Sequence, residues 1–221
     1  MKEKIKKRDS NKMRMLIRLL SRNESSIAGN ETIVKDIEEF ENSDELLESR
    51  ITVSDYLNVL DSLYLLNNQD AYSINYRSSK RVGKSPKRHL VDPSLACASL
   101  DLSVEKLLMY HNTFGFMFEA LVERDLRIYI DYLDGRLYHF RDNSSGDEVD
   151  AILEFRNGDY AAVEIKLSEG GIEEAKNNLT KFYNNVFKKP KFMCIIVGHY
   201  EAVIKDPNTS IYIIPITSLK P

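Results

Sequence analysis

Residues 147–167 read DEVDAILEFRNGDYAAVEIKL, two β-like runs around Asn157-Gly158. Such a run is a hairpin signal. In its second strand, a period of two places Tyr160, Ala162, Glu164 and Lys166 on one face. Ala161, Val163, Ile165 and Leu167 take the other. A carboxylate and an ammonium within an otherwise apolar strand need partners, because burying an unpaired charge is expensive.

The turn decides which residue of the first strand joins them. A two-residue type I′ turn at Asn157-Gly158 would set Asp150 opposite Ile165, away from Glu164. A three-residue loop, Arg156-Asn157-Gly158, with Gly158 left-handed in a G1 bulge, sets Asp150 opposite Glu164. Their Cβ atoms would then lie roughly 5 Å apart. The three-residue loop is the reading adopted, and a slip of one residue would turn the whole face over. Two carboxylates at that distance repel unless a cation or proton lies between them. Mg²⁺ suits an all-oxygen site with few protein ligands. Lys166 would orient or deprotonate a water, or stabilise charge developing on phosphate. Metal-assisted phosphodiester hydrolysis needs these parts.

Outward from the hairpin, Phe114, Phe118, Leu121, Val122, Leu126 and Tyr129 form a helical stripe. Strands are expected at about 136–141, 147–155 and 159–167, a polar helix at about 170–185, and strands at 192–197 and 211–216. This order predicts an α/β class with a mixed sheet flanked by helices. The first half reads differently. Met13, Leu16, Ile17 and Leu20 share one helical face, and further helices are expected near 31–40, 44–49 and 52–65. Short β-like pieces at 64–67, 71–76 and 89–91 follow, with a basic loop between the last two. Three helices and a hairpin are the layout of a winged helix. The expected division is a winged-helix-like region over 1–92 and an α/β domain over 93–221, joined by a small helical connection near 93–112.

The chain has 221 residues, 43% hydrophobic and 29% charged, which describes a soluble globular protein with a sizeable core. Its net charge of −3 makes no global demand for nucleic acid. Local basic patches carry any such role: residues 2–22, and the loop with Arg77, Lys80, Arg81, Lys84, Lys87 and Arg88. In the helix at 52–65, Asp55 and Asp61 disfavour phosphate. Two cysteines, Cys97 and Cys194, exclude a disulfide scaffold and a cysteine zinc site, so a reducing, cytoplasmic setting is expected. Cys97, in an Ala/Leu-rich run, reads as core. His89, His111, His139 and His199 lack zinc-ligand spacing. No apolar run approaches the roughly 18 residues of a membrane span, and no signal peptide is evident. VGKSPK at 82–87 imitates the end of a P-loop, but Ser78 stands where glycine is required, so no bound nucleotide is expected.

Asp150 followed by Glu164-x-Lys166 resembles the PD-(D/E)XK nuclease superfamily, whose core is the restriction-endonuclease-like fold. Glu119, within FGFMFEALVERDL, matches the acidic residue of that family's first core helix. KSPKRHLVDPSLA, FGFMFEALVERDL, YHFRDNSSGDEVDAILE, AAVEIKL and IIPITSL together resemble an uncharacterised domain that usually follows an AAA-type ATPase module in bacterial and archaeal proteins. The resemblance implies Mg²⁺ held by Asp150 and Glu164, Lys166 serving the water or the phosphate, and Glu119 assisting. It also implies DNA as a substrate or ligand and an AAA-type ATPase module as partner, in cis or in trans. Such a module is not within these residues, so the chain is expected to be standalone or a piece of a longer protein. Val149 stands where the superfamily often has proline. Arg81, Lys84, Lys87 and Arg88 would face nucleic acid from the wing. Arg141 would contact phosphate, or pair with Asp142 or Glu148. Glu148 points to the face opposite Asp150, and Lys176 and Asn178 lie on the helix after the Glu-x-Lys strand. The alternative to a nuclease is a catalytically inactive nuclease-fold module that binds DNA or protein and regulates an ATPase.

Overall fold

The computed structural model describes residues 10–40, 50–73, 85–142 and 145–220, the side chains of 37–40 and 50–52 excepted. The chain opens with three helices, α1 (Ser10–Arg22), α2 (Asn30–Phe40) and α3 (Arg50–Ser62). Leu16, Leu20, Ile33, Val53, Leu57 and Leu60 bury together between them. The expected helix at 44–49 lies outside the described residues, as do Arg77, Lys80, Arg81 and Lys84 of the basic loop. Where β-strands were expected at 64–67 and 89–91, the chain pairs only through isolated bridges, Leu66 with Leu90 and Gln69 with Lys87.

Helix α4 (Pro93–Ser99) starts where Asp92 accepts the Ser94 N–H at 2.8 Å, with proline at its first position. Helix α5 (Val104–Met109) follows, then the long α6 (His111–Tyr132). After it come β1 (Arg136–Asp142), β2 (Asp147–Glu154), β3 (Tyr160–Lys166), α7 (Ile172–Asn185), β4 (Phe192–Val197), the short β5 (Ile204–Lys205) and β6 (Tyr212–Pro215). They build a six-stranded mixed sheet in the order β1-β2-β3-β4-β6-β5. β1 to β3 are antiparallel neighbours, whereas β3–β4 and β4–β6 are parallel.

Helices cover both faces. On one, Phe118, Val122, Leu126 and Ile130 of α6 pack on Ala151, Val163, Ile165, Cys194 and Ile196. On the other, Leu179 and Phe182 of α7 meet Ile152, Tyr160, Ala162, Ile195 and Ile213. Strand β3 is central and covered on both faces, which explains its near-continuous apolar run. The two halves of the chain share their cores. Met117 of α6 buries among α1–α3, and Tyr72 stacks 5.7 Å from Tyr138 and 5.3 Å from Tyr160. Among the described residues no helix is long and apolar enough to cross a membrane.

The β2–β3 hairpin has the register of the three-residue loop: Ala151 pairs with Val163, Leu153 with Ala161 and Glu154 with Tyr160. Phe155 N–H donates to Asp159 O and Gly158 N–H to Phe155 O, both at 2.8 Å. Gly158 has φ +78°, the left-handed conformation that the bulge requires. On its other side β2 departs from a regular strand. Tyr138 pairs with Ile152 but Phe140 with Val149, so His139 of β1 faces two residues, Asp150 and Ala151. This bulge was not part of the sequence reading.

Gly158→Ala should lower stability by about 1–2 kcal/mol, the cost of a Cβ in the left-handed region. A lower urea midpoint at unchanged slope is the expected readout. An unchanged midpoint would contradict this loop conformation.

Candidate functional site

Asp150 lies at the bulge, and bulges re-aim side chains. Its Oδ2 accepts the backbone N–H of Ile165 at 2.8 Å, beyond the last regular pair of the hairpin. The bulge frees a carbonyl that must find a donor. Gln69, fully buried, supplies one: its Nε2 donates to Tyr138 O at 2.8 Å and to Asp150 O at 3.3 Å. Gln69 and Lys87 in turn exchange backbone bonds, Gln69 N–H to Lys87 O at 3.0 Å and Lys87 N–H to Gln69 O at 2.9 Å. The segment before α4 is thereby seated on the bulge.

That seating turns Lys87 inward. Its side chain is only 5% exposed, and its ammonium donates to the Glu119 carboxylate and, at 2.8 Å, to Glu123 Oε1. Glu119 and Glu123 stand four residues apart on α6, the spacing that puts two side chains on one helix face. His89 adds a second cation. Its Nδ1 lies 3.0 Å from Glu24 Oε1 and its Nε2 3.0 Å from Glu123 Oε2. Glu24 also accepts the Leu90 N–H at 3.1 Å. Opposite, on β3, Glu164 is buried. Lys166 Nζ lies 3.3 Å from its Oε2 and 3.8 Å from Glu174 Oε1, and Asn178 of α7 hydrogen-bonds it as well. A Cβ at Gly171 would come within 3.0 Å of the Lys166 stem, so glycine there leaves that side chain its path.

The proton affinities follow from this packing. Burial works against a charged Lys87, but Glu123, Glu119 and Asp150 outweigh it and raise its pKa. Burial likewise opposes a charged His89, yet Glu123 and Glu24 lift it to about 9. Burial disfavours the Glu123 carboxylate, and Lys87 and His89 overcome that, holding it at about 2. Glu119 is pushed up to about 8 by burial, with Asp150 and Glu123 adding to the push against Lys87. Glu164 is pushed up to about 8 by burial and Asp150, against Lys166. Burial also raises Asp150, opposed by Lys87 and Lys166. Asp150 is thus electrostatically linked to both groups, Lys87–Glu119–Glu123 on one side and Glu164–Lys166 on the other.

Asp150, Glu119, Glu164 and Lys166 therefore belong to one coupled cluster. Lys87 and Arg88, expected on a nucleic-acid-facing wing, are buried instead. Arg88 donates from Nε to Ala28 O at 2.9 Å and from a terminal nitrogen to Asn30 Oδ1 at 2.8 Å. Their burial follows from bridges on both sides, Ser26 with Arg88 and Gln69 with Lys87. Arg81 and Lys84 lie outside the described residues. Arg141 is half-exposed and 3.9 Å from Glu148, and Lys176 pairs with Glu173 at 2.8 Å and Asp206 at 2.7 Å. Sequence reasoning missed Glu24, Gln69, His89 and Glu123, and the inward role of Lys87. One signal was available: Glu119 and Glu123 interrupt the apolar stripe of α6, and two buried acids in one helix demand nearby cations.

Mg²⁺ fits this arrangement poorly. Among the described residues, no group of three or more His, Cys, Asp or Glu is placed to hold a metal ion. The centre that such an ion would neutralise contains the Lys87 ammonium.

Residues 1–106 match the family model of a domain of unknown function, DUF8612, and residues 114–219 that of another, DUF4143. No curated protein matches the chain. Among solved structures, a half-complex of Thermococcus gammatolerans McrB AAA+ hexamers with bound McrC aligns at 10% identity and a TM-score of 0.30. The alignment covers 91% of this chain and 70% of that one.

The raised pKa of His89 gives a stability signature. A cation whose folded pKa exceeds its unfolded value of 6.5 contributes stability in full below 6.5, and loses it as pH rises through about 9. His89→Gln should therefore cost on the order of 2–3 kcal/mol near pH 6, with the gap to wild type narrowing towards pH 10. Denaturant midpoints of both proteins across that range check it. A gap that is constant with pH would show His89 to be uncharged in the fold.

Proposed function

We propose that this chain is a nuclease-derived module that binds a partner and regulates an AAA-type ATPase, and that in this arrangement it does not act as a metal-dependent nuclease. The order α6–β1–β2–β3–α7–β4 around a mixed sheet supports descent from a restriction-endonuclease-like fold. The acid–lysine set at its β2–β3 hairpin supports it as well. The five-segment sequence resemblance supports the ATPase as partner, in cis or in trans. The observation that carries the reading is the commitment of the acids within the chain: Glu119 and Glu123 hold Lys87, and Glu164 holds Lys166. With Glu119 and Glu164 raised to about 8, part of the cluster is protonated at neutral pH, which further reduces its pull on a divalent ion.

A nuclease reading draws on one observation of its own. The hairpin register brings Asp150, Glu164 and Lys166 together, as Mg²⁺-dependent hydrolysis of DNA would need. In that reading Asp150 and Glu164 hold the metal, Lys166 serves the water or the phosphate, and Glu119 assists.

The two readings differ in a direct test. Wild type and Asp150→Ala are incubated with single- and double-stranded DNA in millimolar Mg²⁺ or Mn²⁺, beside metal-free controls. The regulatory module predicts no metal-dependent cleavage by either protein. Cleavage by wild type that disappears in Asp150→Ala would overturn it in favour of the nuclease.

A further inference from the structure

We infer that Lys87 is the resident cation of the acid cluster, delivered by the N-terminal region to the position that a divalent metal would otherwise take. The inference rests on the nuclease-derived reading of the Asp150–Glu164 hairpin and adds a reason for the missing metal group.

Three observations carry it. First, the ammonium is centred on carboxylates: Glu119 and Glu123 ligate it directly, and Asp150 acts on it through space. These acids come from α6 and from the bulge of β2, two elements that no local sequence contact links. Second, Lys87 is fixed. Its backbone is bonded in both directions to Gln69, whose side chain is bonded to the bulge. The next residue is tied to Ser25, Ser26, Ala28 and Asn30. A lysine held on both sides in this way is a built part of the site. Third, the charges compensate. A buried ammonium or carboxylate left alone is strongly unfavourable, and removing one partner of a buried pair exposes that cost. Lys87 meets the demand of the acids without any bound ion, and His89 meets that of Glu123 and Glu24.

A structural ion pair and a replaced metal differ in one respect. Only the second leaves behind a site that a divalent cation can fill. The experiment uses the full chain with MnCl₂ as probe, read by calorimetric titration and by thermal shift against NaCl of equal ionic strength. The proteins are wild type, Lys87→Met, Lys87→Arg, and Lys87→Met combined with Asp150→Asn. Lys87→Met should bind Mn²⁺ saturably, about tenfold or more tighter than wild type, with a matching rise in Tm. Lys87→Arg, which keeps the cation, should respond like wild type, and Asp150→Asn should abolish the gained binding. If Lys87→Met does not fold in buffer, recovery of its far-ultraviolet circular dichroism during the MnCl₂ titration replaces the thermal readout. Recovery with MnCl₂ and not with NaCl then supports the inference. No Mn²⁺ response of Lys87→Met by either readout would overturn it, as would Mn²⁺ binding by wild type as tight as that of the variant. The readout is metal binding rather than cleavage or ATPase regulation. A chain without an ATPase partner leaves a positive result standing, and a failed Mn²⁺ response leaves the partner reading standing.

Discussion

The ammonium of Lys87 inside a group of buried carboxylates is the constraint on which the rest of the site depends. Acids that stand along one helix face and at the bend of a neighbouring strand cannot be buried together without positive charge. The positive charge comes from a segment that precedes them by more than thirty residues, since Lys87 lies 32 residues before Glu119 and 36 before Glu123. The N-terminal helices are for this reason not an independent appendage. They hold Arg88 and Glu24, and through them the segment that carries Lys87 and His89. The apolar contacts point the same way, with Met117 of α6 buried among α1–α3 and Tyr72 stacked on the sheet.

The bulge in β2 makes this possible. A regular strand would keep Asp150 in strict alternation and its carbonyl within the ladder. The extra residue opposite His139 bends the strand, and Gln69 takes the freed carbonyl. A purely local irregularity thus becomes the docking point of a distant segment. The same device brings Asp150 within reach of both halves of the cluster, the α6 acids with Lys87 and the β3 pair Glu164–Lys166.

Much of this fold was legible in the sequence, and the reasons are physical. Period-two and period-3.6 patterns are local, so the helices of both halves and the strands of the sheet could be read off residue by residue. The hairpin register followed from a single glycine, Gly158, whose left-handed conformation distinguishes a three-residue loop from a two-residue turn. That register in turn set Asp150 near Glu164. The inward turn of Lys87 was not legible. Lysine within a run of basic residues normally reads as solvated, and nothing in KSPKRHL signals which of its cations is buried. The bulge was equally silent, because DAILE alternates acceptably either way. Glu123 was visible only as an acid on an apolar stripe, and its partners come from residues 87 and 89, reached through long-range bridges rather than local spacing.

The central claim is that Lys87 and the α6 acids stabilise each other across the two halves of the chain. A double-mutant cycle of Lys87→Met and Glu123→Gln, read by equilibrium denaturation, tests it most directly. Each single change should cost about 3–5 kcal/mol, because it leaves a buried charge unpaired. The double change should cost less than the sum of the two, by at least about 1 kcal/mol of coupling. Additive costs would contradict the account, and would mean that Lys87 and Glu123 are neighbours that do not hold the fold together.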